Sequence, residues 1–131
     1  MIIVTGGAGF IGSNIVAALE ARGHERIVVC DEFGSDDRWR NLMKRGLYNC
    51  IHPSQLFPYL DQQKNNIKVI FHMGAISTTT EKNVDLILDN NYRLTMSLVQ
   101  WCGRHRVRLI YASSAATYGN GEAGFHDSFT Q

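Results

Sequence analysis

Short apolar runs alternate along this chain with longer amphipathic stretches, and small or polar residues close each run. Ile2-Ile3-Val4-Thr5 is continuous and stops at glycines, the pattern of a parallel strand buried on both faces. Ile11, Ile15, Ala18 and Leu19 follow at helical spacing, which predicts a helix over about 12–22 that Gly23 ends. Within 26–31, Ile27-Val28-Val29-Cys30 predicts a second buried strand. Residues 32–45 are polar and irregular, with room for one helical turn near 39–44, and 47–51 reads as a weaker third strand. Pro53 opens a helix to about residue 63, since proline is tolerated in a first turn. Pro58 inside it predicts a split or a kink. A fourth strand is expected over 68–72, and a loop of small and hydroxyl residues over 74–80. A long helix follows over 83–105, with Leu86, Asn90, Leu94, Leu98 and Cys102 spaced along it. Residues 108–112 form a fifth strand and 113–124 a loop.

Strand and helix alternate throughout, without internal repeats, which argues an α/β fold: a parallel sheet covered by helices on both faces. The expected form is the doubly wound Rossmann sheet in the order 3-2-1-4-5, built as one domain over 1–131. The chain of 131 residues, 44% of them hydrophobic, is long enough to bury a core. Its formal charge of +1 gives no bulk attraction for nucleic acid. The basic residues Arg104, His105, Arg106 and Arg108 read as a solvated helix end. Cys30, Cys50 and Cys102 form no Cys-x-x-Cys, so neither zinc nor redox motif is supported and no metal site is expected. Cys30, in an apolar strand, reads as core filler. The opening apolar run is too short for a signal peptide, and nothing approaches the ~20 apolar residues of a membrane span. A soluble cytoplasmic protein, with neither membrane nor nucleic acid as partner, is expected.

The chemistry concentrates at Gly6-Gly7-Ala8-Gly9-Phe10-Ile11-Gly12, a G-x-x-G-x-x-G between a strand and a helix. That context makes it a candidate diphosphate-binding loop. Gly6 lets the chain turn sharply, Gly9 lets backbone approach a phosphate, and Gly12 lets helix and strand pack closely. Free N–H groups at the helix start, those of Phe10 and Ile11 among them, together with the helix dipole, favour an anion. No Gly-Lys-Ser/Thr follows, so this is not a Walker loop.

Asp31 ends the second strand 19 residues after Gly12, where a carboxylate accepts hydrogen bonds from an adenosine ribose. Alone it favours NAD, because it repels a 2′-phosphate. Arg38 and Arg40 lie close behind, and a guanidinium binds such a phosphate bidentately. The residues by themselves leave NAD and NADP open, and Arg38 is equally readable as a surface arginine. The loop Met73-Gly74-Ala75-Ile76-Ser77 falls at the carboxyl edge of the sheet, where ligands of such folds sit, and its small residues leave room for a cofactor. His72 at the same edge reads more readily as a satisfied structural histidine than as a catalytic one.

Three segments together, Gly6 to Gly12 with Asp31, then Asp89-Asn90-Asn91, then Tyr111-Ala112-Ser113-Ser114-Ala115-Ala116-Thr117-Tyr118-Gly119, resemble the extended short-chain dehydrogenase/reductases. With Ser77-Thr78-Thr79-Thr80-Glu81, the likeness narrows to the ADP-L-glycero-D-manno-heptose 6-epimerase family, from Met1 to about Gly119. The resemblance implies an epimerase that inverts C6 of ADP-heptose, a lipopolysaccharide core precursor, by transient oxidation and reduction with bound NADP. It implies cofactor contacts at Phe10, Ile11, Asp31, Glu32, Arg38, Met73, Gly74, Ala75, Ile76, Ser77 and Asn90. Arg38 stands where the family often has a lysine for the 2′-phosphate, which tips the expectation to NADP with NAD possible; a second lysine of some members is Pro53 here. Ser114 matches the catalytic serine, whose hydroxyl bonds the reacting sugar oxygen. A nucleotide sugar is the implied substrate, and a homo-oligomer is expected of the full-length protein.

Oxidising a carbinol also needs a base for the hydroxyl proton. The superfamily supplies it from Tyr-x-x-x-Lys, yet none of Tyr48, Tyr59, Tyr92, Tyr111 and Tyr118 has a lysine four residues on. The chain therefore reads as an incomplete domain, cut before that motif and the substrate domain, inactive alone and of marginal stability, with its fifth strand an unprotected edge. A dehydratase of the same superfamily is disfavoured, because Ala115-Ala116-Thr117 carries no carboxylate for elimination. A UDP-hexose 4-epimerase and a non-catalytic dinucleotide-binding module stay as alternatives.

Overall fold

The computed structural model describes residues 1–34, 37–75, 83, 85, 88–122 and 124–126. Five strands, β1 (Ile2–Thr5), β2 (Ile27–Cys30), β3 (Asn49–Ile51), β4 (Val69–His72) and β5 (Arg108–Tyr111), form one parallel sheet in the order β3-β2-β1-β4-β5. This is the order expected from the alternation of elements. Register is set from the centre: Ile2 pairs with Ile27 on one side and Val69 on the other, and Thr5 with Cys30 and His72. Ile51 and Tyr111 extend the same row outward, so all five strands end level and their following loops meet at one edge.

The two-residue period of the strands divides the core between the faces. Ile3, Val28, Cys30 and Ile70 pack against Leu56 and Leu60 of α2 (Leu56–Gln63) and Leu98, Trp101 and Cys102 of α3 (Leu94–His105). Ile2, Val4, Ile27 and Val29 point the other way, onto Val16 and Leu19 of α1 (Phe10–Ala21) and onto Leu42. Each such side chain contributes roughly 1.5–3 kcal/mol on burial. On the first face, Trp101 Nε1 donates to Asp61 Oδ1 at 2.7 Å and ties α3 to α2.

Several elements differ from the sequence expectation for identifiable reasons. α1 starts at Phe10 rather than Gly12 and is turned so that Gly12, Ser13, Val16 and Leu19 are buried, while Ile11 and Ala18 are exposed. The backbone contact of Gly12 sets this phase, as described below. Gly23 ends α1 as expected, at φ 79°, with its N–H on the Glu20 carbonyl and that of His24 on Leu19, a Schellman cap. The helix opened by Pro53 is split: a 3₁₀ turn, Pro53–Gln55, precedes α2. The ring of Pro58 opposes a continuous helix from residue 53, but in the first turn of α2 its missing N–H costs nothing. The expected long helix is a π segment, Leu88–Arg93, followed by α3, and part of its expected start lies outside the described residues. The irregular stretch after β2 contains a 3₁₀ segment, Asp37–Leu42, and the loop after β5 a second, Ala115–Tyr118. No helix among the described residues is long and apolar enough to cross a membrane.

Candidate dinucleotide site

The carboxyl edge of the sheet opens into a cleft of about 600 Å³. Gly6, Gly9, Phe10, Ile11, Gly12, Asp31, Glu32, Arg38, Met73, Gly74 and Ala75 all line it, so the structure brings together most of the residues singled out in the sequence. Ile76 and Ser77 lie outside the described residues. Asn90 belongs to the π segment before α3. Ser114 stands apart, beyond β5 and two strands from β1. Thr5, Cys30, Leu56 and Leu94 also line the cleft and had no signal as site residues in the sequence. Pro53, the position that the resemblance singled out, lines it too and adds no charge.

Backbone proximity explains the glycine loop. Gly6 has φ 65°, and a Cβ there would lie 2.6 Å from the Cα and N of Gly74. A Cβ on Gly12 would lie 2.1 Å from the Gly6 carbonyl oxygen, an overlap no side chain survives. Gly9 is different: φ is −69°, and its Cβ would meet only the Gly6 carbonyl oxygen, at 3.3 Å. Gly9 is also the N-cap of α1, and no side chain caps that end. The first N–H groups of a helix lack intrahelical acceptors, so the positive end of α1 is presented to the cleft. A diphosphate fits such an end in both charge and hydrogen bonding.

Asp31 holds the loop as well as facing the cleft. Its Oδ2 accepts the Ala8 N–H at 2.8 Å and its Oδ1 the Glu32 N–H at 2.8 Å. Arg38 lies over the same corner, its Nη2 donating to the Glu32 carbonyl at 3.0 Å and its Nη1 3.9 Å from Asp31 Oδ1. A cation thus stands beside the carboxylate that would otherwise repel a 2′-phosphate. Cys30, behind Asp31, is buried, and desolvation first, then the Asp31 charge, push its thiol up to about 12. It is core filler, as the sequence suggested.

His72 is satisfied on both nitrogens: Nδ1 meets Thr5 Oγ1 at 2.6 Å, and Nε2 meets Thr95 Oγ1 at 2.9 Å. Thr95 gives its hydroxyl proton to the Asn91 carbonyl, so it accepts from Nε2–H. Nδ1 then accepts from Thr5, whose oxygen in turn accepts the Gly74 N–H at 3.3 Å. Burial pulls the His72 pKa below its ordinary 6.5 and so favours the neutral ring used in this arrangement. Its role is to lock β1, β4, the Gly74 turn and α3 together. Ser114 caps the 3₁₀ segment Ala115–Tyr118, its Oγ accepting the Ala116 N–H at 3.2 Å.

Residues 2–131 match the NAD dependent epimerase/dehydratase family. The chain belongs to that family. The ADP-L-glycero-D-manno-heptose-6-epimerase of Fusobacterium nucleatum is 45% identical over 129 residues, covering 97% of this chain and 39% of that protein. Among solved structures, the Helicobacter pylori enzyme of the same name superposes with TM-score 0.72 at 31% identity, over 91% of this chain and 40% of that one. A Bordetella bronchiseptica enzyme in complex with NAD and UDP gives TM-score 0.76 at 25% identity, over 92% and 40% respectively. As an epimerase/dehydratase family member, the chain spans about two fifths of the length of these relatives.

Proposed function

We propose that this chain forms the cofactor-binding part of a nucleotide-sugar epimerase that inverts C6 of ADP-glycero-manno-heptose, with NADP as its cofactor. The observation that carries the proposal is the uncapped start of α1, held by the Gly6 and Gly12 contacts against the strand ends. The bound nicotinamide would supply reversible hydride acceptance and return. Helix α1 receives the diphosphate. Asp31 and Glu32 flank the adenosine ribose, and Arg38 takes the 2′-phosphate. Met73, Gly74, Ala75, Ile76, Ser77 and Asn90 are assigned to the remaining cofactor wall. Ser114, with one lone pair taken by Ala116, keeps its hydroxyl proton to donate to the reacting sugar oxygen, steadying it as it gains carbonyl or alkoxide character. No tyrosine here is followed four residues on by lysine, so this stretch supplies the cradle and the serine but not the base.

The same reading makes a nucleotide sugar the substrate, the cytoplasm the site of action and a homo-oligomer the working state. Similarity to the heptose epimerases supports the sugar assignment. The test is on the full-length gene product. Its bound nucleotide is released and identified, and ADP-heptose is followed by NMR at C6. Both C6 epimers should appear from either pure one. A cofactor-loaded protein that leaves C6 unchanged defeats the heptose assignment, and inversion at C4 of a UDP-hexose would replace it.

A further inference from the structure

We propose that Asn41 is a positioning residue for the dinucleotide, acting through the Ala8 peptide; this rests on the dinucleotide reading above. Asn41 Nδ2 donates to the Ala8 carbonyl at 2.8 Å, while Asp31 Oδ2 accepts the N–H of the same residue, also at 2.8 Å. Ala8 is thereby gripped at both polar ends, one residue before the N-cap of α1. Fixing it fixes the direction in which the following free N–H groups point. Directed amides bind an anion without reorganising, whereas a loop free to rock must first be ordered.

The local structure explains why this residue reaches the loop. Asp37–Leu42 is a 3₁₀ segment, with three residues per turn, so Arg38 and Asn41 stack on one face. Leu42 is buried against Val16, Leu19, Ile27 and Val29 and anchors the segment to the sheet. From that anchored face Arg38 touches the corner at Asp31 and Glu32, and Asn41 touches the phosphate loop. One short segment therefore serves both the ribose end and the diphosphate end. The division of labour is explicit: the diphosphate is common to NAD and NADP, so Asn41 serves both, while Arg38 separates them.

The experiment uses the full-length protein, stripped of nucleotide, and titrates NADP and NAD separately by calorimetry against wild type, Asn41→Ala and Asn41→Leu. Leucine keeps the shape and adds no charge, but cannot donate to a carbonyl. Both variants should weaken NADP and NAD by the same factor, about three- to tenfold for one lost hydrogen bond. The nucleotide-free protein should lose no more than the one hydrogen bond's worth of stability, and amide exchange should rise within residues 6–12 while β1 and β2 keep their protection. Wild-type affinity in both variants, or a loss confined to NADP, overturns the role of Asn41 and leaves the dinucleotide reading standing. A wild-type protein that binds neither nucleotide overturns that reading, and this proposal with it.

Discussion

Gly12→Ala and Gly9→Ala add the same methyl group three residues apart and should fail in opposite ways. At Gly12 the new Cβ would sit 2.1 Å from the Gly6 carbonyl oxygen and 2.8 Å from the Gly6 carbonyl carbon and the Gly7 Cα. An ordinary carbon–oxygen contact is about 3.3 Å or longer, so α1 and the loop must part by roughly 1.2 Å. All three obstructing atoms are backbone, and the sheet behind them is close-packed, so no rotamer relieves the overlap. Overpacking of this kind costs about 3 kcal/mol or more, a large share of a domain's 5–15 kcal/mol.

At Gly9 the backbone already has a conformation open to alanine, and the single near contact, 3.3 Å to the Gly6 carbonyl oxygen, needs only a small shift. The stability change should stay within about 1 kcal/mol, the lower chain entropy of alanine offsetting its poorer N-capping. Its methyl group, however, stands at the mouth of the uncapped helix and should weaken dinucleotide binding about tenfold, or 1.4 kcal/mol. Urea unfolding of the nucleotide-free protein gives the first quantity and calorimetric titration the second. A Gly12→Ala protein that unfolds with wild-type midpoint refutes the packing argument. A Gly9→Ala protein that binds like wild type places the phosphate elsewhere.

Arg38→Ala should weaken NADP by about tenfold or more, the scale of a charge-assisted phosphate contact, and leave NAD within about twofold; a matched loss of both in titration would contradict the assignment. Burial lowers the His72 pKa in the fold while the unfolded chain titrates near the ordinary 6.5, so the unfolded state binds more protons just below that pH. Stability should therefore fall as pH drops from 6.5 toward the lowered folded value, by at most about 1.4 kcal/mol per pH unit, and then level off. His72→Gln should flatten that dependence in unfolding measured across the window, and an unaltered slope would clear His72 of it. Arg106 closes α3 at φ 56°, the single non-glycine residue with positive φ among the described residues. Arg106→Gly should stabilise the protein by about 0.5–1 kcal/mol in the same unfolding assay, and a loss of stability would show that the arginine side chain contributes more than its backbone strain costs.

The sheet and the phosphate loop were legible because each leaves a mark on neighbouring residues. Buried parallel strands need continuous β-branched runs, and Ile2-Ile3-Val4 and Ile27-Val28-Val29 supply them. A backbone passing within contact distance of another backbone needs glycine, and Gly6 and Gly12 are those positions. The phase of α1 was not legible, because apolar spacing alone cannot show that Gly12 must face Gly6 while Ile11 opens onto the cleft. Nor was the π segment before α3, whose residues carry an ordinary helical spacing. Asn41 and the Thr5–His72–Thr95 chain were hidden for another reason. Their partners lie 33, 67 and 23 residues away in sequence, and only the register of the strands brings them together. In Asn41 a three-residue offset from Arg38 was available as a signal, but only to a reader who knew that the segment was 3₁₀.

Asp31 joins two parts of the site. As a ribose acceptor it needs only to face the cleft, yet both of its oxygens already take backbone N–H groups, those of Ala8 and Glu32. A carboxylate has about four lone-pair positions, so ribose hydroxyls can still be received without releasing either amide. The glycine loop and the end of β2 are therefore set by one side chain, with Asn41 closing the grip on Ala8 from the opposite side and Arg38 balancing the charge. Asparagine at position 31 would keep one carbonyl oxygen but turn an amide group toward a backbone N–H. It would disturb loop and ribose together, whereas glutamate would carry the charge one bond too far to hold Ala8. Aspartate at the end of β2 is thus a condition of the loop's shape before it is a condition of ligand choice, and on the proposed reading the neighbouring Arg38 is where selectivity between dinucleotides would change without rebuilding the fold.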